Sequence, residues 1–215
     1  ETGPYNGFCG LFRNWLIFLK DVFPPPAERK SKVQDISCLI KLVSSDGKIE
    51  KESCVFQRQM FLSPTGVTNW STWRSVLSED NERLYVCHTR EYLIEGLDLN
   101  KNRVVNRFRR KYPSVKYKER GWEKNFYARY DAPKIGYEID ISGLFTDKDR
   151  LWVKTSTTDK EKGDMFDVFD AEGRFIDSFY LGADRTLLIP NGDELFVLEK
   201  DREENFILIK YKIAG

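Results

Sequence analysis

Polarity along the chain changes with a period of two over short runs, and one run recurs in a fixed form. Four times a leucine is followed by two large apolar or aromatic residues: Leu16-Ile17-Phe18, Leu84-Tyr85-Val86, Leu151-Trp152-Val153 and Leu195-Phe196-Val197. Residues with two substituents on Cβ or with flat rings fit a pleated, half-buried surface, so each triplet predicts a strand. The triplets are 68, 67 and 44 residues apart. Regular recurrence on this scale is the mark of a repeated supersecondary unit.

Each triplet is followed by a second apolar strand, at Cys38 to Leu42, Tyr92 to Leu99, Met165 to Phe169 and Phe206 to Ile213. In three units a tight turn comes next, carrying Gly47, Asn102 or Gly173 at one equivalent place. Gly and Asn are the residues that tolerate a left-handed backbone, so the turn geometry is predicted to repeat with the strands. A further strand precedes the triplet, clearest at Ser142 to Thr146 and Thr186 to Ile189, closed by Asp147-Lys148-Asp149 and Asn191-Gly192-Asp193. The unit is therefore four antiparallel strands, A to D, and the fourth unit ends after its third strand.

The expected fold class is all-β: a β-propeller of four-stranded antiparallel blades. Arg150-Leu151-Trp152-Val153 together with Phe166-Asp167-Val168-Phe169-Asp170-Ala171-Glu172-Gly173-Arg174 resembles the blades of six-bladed propellers of the NHL-like kind. That resemblance implies six blades in a full-length protein, of which about four, the C-terminal portion, are visible. The whole chain, 1–215, is then one partial propeller. Its blades fall at about 7–56, 67–110, 142–181 and 186–213, with insertions at 57–66 and 111–141. The chain begins at Glu1 with methionine only at positions 60 and 165, so the natural start is expected elsewhere and targeting is not legible.

Composition changes this picture little. Apolar residues at 40% and charged residues at 32% are globular values. No apolar run approaches the roughly 20 residues of a membrane span. Cys9, Cys38, Cys54 and Cys87 lack the spacing of a zinc site, and no cofactor is implied. Cys38 and Cys54 flank the turn at Asp46-Gly47 and could bridge in an oxidising compartment, with two free thiols as the plainer reading. An extracytoplasmic location, periplasmic or secreted, is favoured without being fixed. Net charge is +1, yet residues 101–120 alone carry +8 and leave the remainder at −7.

In a meandering blade the A–B and C–D turns share one face and the B–C and D–A connections the other. The short Asp/Asn/Gly turns fall on the first face. The long segments 21–36, 57–70, 111–141 and 157–164 fall on the second, where a binding site is expected. Cations interleave with aromatics there, giving Arg109, Arg110, Lys111, Tyr112, Trp122, Tyr127 and Arg129 as candidate binding residues, with Arg90 beside them. Such a surface suits an acidic protein, a glycan or another anionic ligand. Near-neutral total charge argues against nucleic acid. The competing reading has the aromatics covering a blade seam and the basic side chains merely solvated.

No catalytic residues are assigned. His88 is the only histidine, no nucleophile elbow, metalloprotease helix or phosphate loop is present, and Cys87 and His88, adjacent on a strand, point to opposite faces. Ser78-x-Asp80 resembles part of an Asp-box turn, a structural device. Asn69-Trp70-Ser71 is a glycosylation sequon. The expectation is thus a non-catalytic propeller that presents its long-loop face to a protein or anionic ligand. The alternative is a propeller hydrolase acting on a glycan or lactone. An incomplete ring would also expose apolar sheet and favour self-association.

Overall fold

The computed structural model describes residues 7–63, 66–119, 121–130, 132–191, 194–201 and 203–212. Gly192, Asp193 and Ile213, named above as a turn and a strand end, lie outside the described residues.

Among the described residues sixteen strands form four sheets, each a meander of sequential antiparallel neighbours. The first contains β1 (Gly7–Phe12), β2 (Trp15–Val22), β3 (Lys32–Ser44), β4 (Glu50–Ser63) and β5 (Gly66–Asn69). The second contains β6 (Arg74–Leu77), β7 (Arg83–Cys87), β8 (Leu93–Asp98) and β9 (Arg103–Arg109). The third contains β10 (Ile141–Asp147), β11 (Arg150–Asp159), β12 (Gly163–Asp170) and β13 (Phe175–Leu181). The fourth contains β14 (Arg185–Asn191), β15 (Glu194–Lys200) and β16 (Phe206–Lys212). Successive sheets meet at their first strands, β1 against β6, β6 against β10 and β10 against β14. The sheets thus fan out from a common inner line, which is the arrangement of propeller blades.

What holds the blades together follows from the triplets. Leu84 and Val86 belong to the core shared with the first sheet, whereas Tyr85 between them belongs to the core shared with the third. Leu151 and Val153 face back towards the second sheet while Trp152 faces forward to the fourth. Val197 again faces back. The period-two alternation of a strand therefore serves two seams at once. Leu84, Val86, Leu151, Val153 and Val197 are wholly buried, each contributing about 1.5–3 kcal/mol of apolar transfer. Ile17 faces the second sheet, so Leu16 and Phe18 point the other way, onto a face no described sheet covers.

A charged ladder crosses each of the first three sheets at one equivalent place. Phe18, Val86 and Val153 pair in register with Lys41, Glu95 and Asp167, which pair in turn with Glu52, Arg107 and Ser178. In the fourth sheet Ile209 stands opposite Val197.

Turns behave as their residues demand. Gly47, Asn102 and Gly173 all have positive φ, at 73°, 53° and 83°. Asp46, Asp98 and Asp170 accept backbone N–H bonds from within the same turns. Ser78 Oγ donates to Asp80, which accepts from the Glu82 N–H, so the Ser-x-Asp element is a turn clasp.

Two segments depart from expectation. Residues 57–63 run on as β4 and pair with β5, because the hairpin of β3 and β4 continues its alternation beyond the blade: Phe56, Arg58 and Met60 lie on one side and are buried. Within 111–141, read as an irregular loop, Gly121–Tyr130 is a helix, α1. Trp122, Phe126 and Tyr130 recur every four residues, a helical spacing. In the sequence that spacing is masked by the cations interleaved with the aromatics.

The turns generate two predictions. A Cβ at Gly47 would meet nothing, whereas one at Gly173 would sit 2.4 Å from the Phe108 ring. Gly47→Ala therefore costs about 1–2 kcal/mol of backbone strain, and Gly173→Ala costs clearly more, as urea denaturation of the two variants will show. The second concerns acid. Hydrogen bonds hold several turn carboxyls below their ordinary range: the Ser44 hydroxyl for Asp46, the Ser78 hydroxyl for Asp80, and the backbone N–H groups of Lys101, Lys162 and Asn205 for Asp98, Asp159 and Asp201. A lowered folded-state pKa gives stability that is complete above the unfolded value of 3.8 and is lost as pH falls through the folded one. Burial raises the Asp140 carboxyl and works in the opposite sense. Melting temperature should therefore fall on acidification from about pH 5 to pH 2, and less steeply in Asp98→Asn.

Candidate functional site

The face opposite the short turns carries the β2–β3 connection, with a short 3-10 helix at Pro26–Glu28, and the long connection from β9 to β10 that contains α1. The latter is a folded element. Its two arms meet at the bridge between Lys116 and Tyr137, the Tyr117 N–H donates to Gly136 O and the Glu138 N–H donates to Val115 O. Tyr127 on α1 is buried with Phe61 and Ala132, beside Trp70, Val33 and Ile135. Glu123 is buried one helical turn earlier and accepts from the Tyr117 hydroxyl at 2.6 Å. The extended hairpin of the first sheet thus supplies the surface on which α1 lies. By contrast, residues 157–164, read as a long charged loop, are mostly strand and close in a tight turn capped by Asp159.

The candidate residues separate into two groups. Arg109 and Lys111 are exposed where the chain leaves β9, and Arg129 is exposed on α1. Arg110, between the first two, turns inward: its guanidinium pairs with the fully buried Asp167, bonds Ser178 Oγ at 3.2 Å and lies 5.1 Å over the Phe175 ring. Tyr112 packs 5.6 Å from the Tyr92 ring and its hydroxyl reaches Ser156 and Thr157. Arg90 donates to the carbonyl oxygens of Trp70, at 2.6 Å, and Tyr137. It ties the first sheet's edge to the long connection. Tyr127 is core, as described above. Trp122 sits in α1, and its side chain lies outside the described residues.

Polar hubs at the seams escaped the sequence reading. Asp167 accepts from the Tyr92 hydroxyl at 2.7 Å as well as from Arg110 and Ser178, joining the second and third blades. Burial, then the Asp167 charge, pushes the Tyr92 phenol well above its usual range. Glu95 bonds His88 Nε2 at 2.7 Å and pairs with Arg107, while His88 Nδ1 donates to Gln57 O at 2.6 Å, reaching the first blade. The His88 bond holds the Glu95 carboxyl low. Both ring nitrogens are occupied in a seam, which gives His88 a structural post. Cys87, on the opposite face, is pushed up to about 12 by burial. The signal was present: an acid centred in an apolar strand, as in Phe166-Asp167-Val168 and Ile94-Glu95-Gly96, must have a partner if buried.

The four cysteines are free thiols, with Cys38 opposite Phe56 and Cys54 opposite Ile40. Among the described residues no group of three or more His, Cys, Asp or Glu side chains is arranged to hold a metal. No described helix is long and apolar enough to cross a membrane. Arg110→Ala strips a buried carboxylate of its charged partner and should cost about 1–3 kcal/mol, whereas Arg109→Ala stays within about 0.5 kcal/mol. Thermal melts of the two variants check this contrast.

No protein-family model matches the sequence, and no curated protein matches it. Among solved structures, those of U3-55K and of the RRP9 WD40 repeats are similar to this chain, each at 11% identity, a TM-score of 0.42 and 89% coverage of this chain. The chain spans about half the length of those structures, 54% and 53%.

Proposed function

We propose that this protein is a non-catalytic β-propeller binding module that presents its long-loop face to a protein or other anionic ligand. The observation that carries this reading is the anchoring of the connection between β9 and β10. Arg90, Tyr112 and Tyr127 fix it to two blades from below, while Arg109, Lys111 and Arg129 remain exposed on it. A rigid scaffold bearing exposed cations loses little entropy on binding, which is what a recognition surface needs. Tyr112, Tyr127, Arg90 and Arg110 then serve as its framework, and Trp122 as part of the helix it carries.

The finer reading is a ring of six blades of the NHL-like kind. It is supported by the triplet phase. The outer face of the first sheet exposes Phe8, Leu11 and Val55, and that of the fourth exposes Ile189, Phe206 and Leu208. Those faces correspond to the ones that interior sheets bury against neighbours. The same faces support association between copies of the 215-residue chain, which light scattering measures directly as mass rising with concentration.

The binding surface is tested with heparin as a polyanion probe. The protein should be retained on immobilised heparin at low salt, and the double variant Arg109→Ala with Lys111→Ala should elute at lower salt, because exposed charges are screened within about 10 Å at 0.1 M. Its melting temperature should match the parent's. Elution unchanged by the substitutions would move the surface elsewhere on this face.

A further inference from the structure

On the long-loop face a cavity of about 520 Å³ opens between the connection from β5 to β6, the β7–β8 turn and the folded connection that carries α1. Volumes of about 300–1,000 Å³ are usual for small-ligand sites. Trp70, Trp73 and Tyr117 give it aromatic walls. Two charges in its lining are already matched, since Arg58 pairs with Asp21 and Glu123 accepts from the Tyr117 hydroxyl.

Three other charges in the lining have no counter-charge in contact. Arg90 donates from Nη1 and Nη2 to the carbonyl oxygens of Trp70 and Tyr137, and Arg74 donates from Nε and Nη1 to those of Ser142 and Trp73. Each guanidinium thus spends two of its five N–H groups on neutral acceptors, and neither forms an ion pair with a described residue. The Glu138 carboxylate makes no hydrogen bond or ion pair with a described residue. Its charge is nevertheless near enough to offset part of the burial that disfavours the Arg90 cation. The hydroxyl of Thr72, a residue 6% exposed, is likewise unbonded among the described residues. None of these groups is sealed off: Arg90 Nε, the Glu138 oxygens and Thr72 Oγ1 all keep accessible surface, and all three residues line the cavity.

The chemistry of the occupant follows. An anion drawn by Arg74 and Arg90 meets the Glu138 carboxylate, and a cation drawn by Glu138 meets two guanidinium groups. A neutral ligand leaves all three without a counter-charge. A zwitterion satisfies both signs, with its carboxylate on the arginine N–H groups and its ammonium on Glu138. The aromatic walls then receive an apolar side chain beside the charged end. We propose that this cavity is a binding site for a free α-amino acid with an aliphatic or aromatic side chain, held by Arg74, Arg90 and Glu138 against Trp70 and Trp73. The site goes beyond the surface proposed above and uses none of Arg109, Lys111 or Arg129, so each stands or falls without the other.

The test uses the full chain with L-phenylalanine and L-leucine as probes. Their counterparts without the ammonium, phenylpropionate and isocaproate, and without the carboxylate, phenethylamine and isoamylamine, are measured beside them. Saturation-transfer NMR reads binding, and the indole N–H resonances of Trp70 and Trp73, assigned with Trp70→Phe and Trp73→Phe, read location in the unaltered protein. At least one amino acid should bind with a millimolar dissociation constant and shift one of these resonances. Both of its truncated counterparts should bind at least about tenfold more weakly. Glu138→Gln removes the partner of the ammonium without removing a bond of the fold, and should weaken that amino acid by a similar factor. Should this variant fail to fold, the truncated counterparts decide in the parent. The proposal is overturned if neither amino acid binds, or if one binds without moving Trp70 or Trp73. It is equally overturned if folded Glu138→Gln binds as well as the parent, or if a simple anion or amine from the truncated set binds as well as its amino acid.

Discussion

Everything in this structure depends on sheets packing face to face through a strand whose neighbouring residues serve opposite seams. Because consecutive side chains on a strand point to opposite sides, Leu84 and Val86 close the seam behind the second blade while Tyr85 closes the one ahead. Apart from the small cluster of Ile36, Met60 and Leu62 where the first sheet's hairpin runs on, the core residues are shared between blades. Each seam consists of two half-surfaces supplied by different blades, so a single sheet of this protein has no stable existence apart from its neighbours. In the second and third blades the large ring, Tyr85 or Trp152, goes forward and the smaller Leu and Val go back, which lets the flat forward face of one blade receive the branched rear face of the next.

An apolar seam of this kind is permissive about register, since oily faces slide. The charged ladder supplies the discrimination. Glu95 and Asp167 occupy one equivalent position opposite the last residue of the triplet. Asp167 reaches backwards into the preceding blade, to Tyr92 and Arg110, and Glu95 does so through His88 of its own blade, whose Nδ1 donates to Gln57 O of the first. A buried carboxylate left without its donors is expensive, so a seam slipped by one residue would be penalised twice, once by exposed rings and once by an unpaired acid. In the first blade the same position is Lys41, held by Glu50 and Glu52 of its own sheet. No described blade stands behind it to supply a partner.

What was legible in the sequence was local. The triplets announce themselves because three consecutive residues encode two faces, and Gly47, Asn102 and Gly173 mark turns because the left-handed backbone is encoded by one residue. What was not legible joins distant segments. Nothing in Arg109-Arg110-Lys111 tells which of three cations is inside: the strand ends at Arg109, and Arg110 meets Asp167, 57 residues on. Asp21 and Arg58 are likewise unremarkable in their own strands and acquire meaning only when β2 and β4 share a sheet. The helix α1 was missed for a different reason, since its aromatic spacing is local but was subordinated to a charge pattern that the fold then divided between core and surface.

The two faces of the propeller differ in how much chemical freedom they retain. On the short-turn face, backbone closure consumes the side chains: Asp46, Asp80, Asp98 and Asp170 are spent on N–H groups within their own turns. Substituting such residues changes the fold before it changes any contact with a partner. On the opposite face the connections are long enough to build structure of their own, and their hydrogen bonds are made largely between backbone groups or to backbone carbonyls, as with Val115 to Glu138 and Arg90 to Tyr137. Exposed side chains such as Arg109 and Lys111 are thereby released from structural duty. Substitution at those positions leaves the seams undisturbed, which is why the proposed recognition surface is assigned to this face.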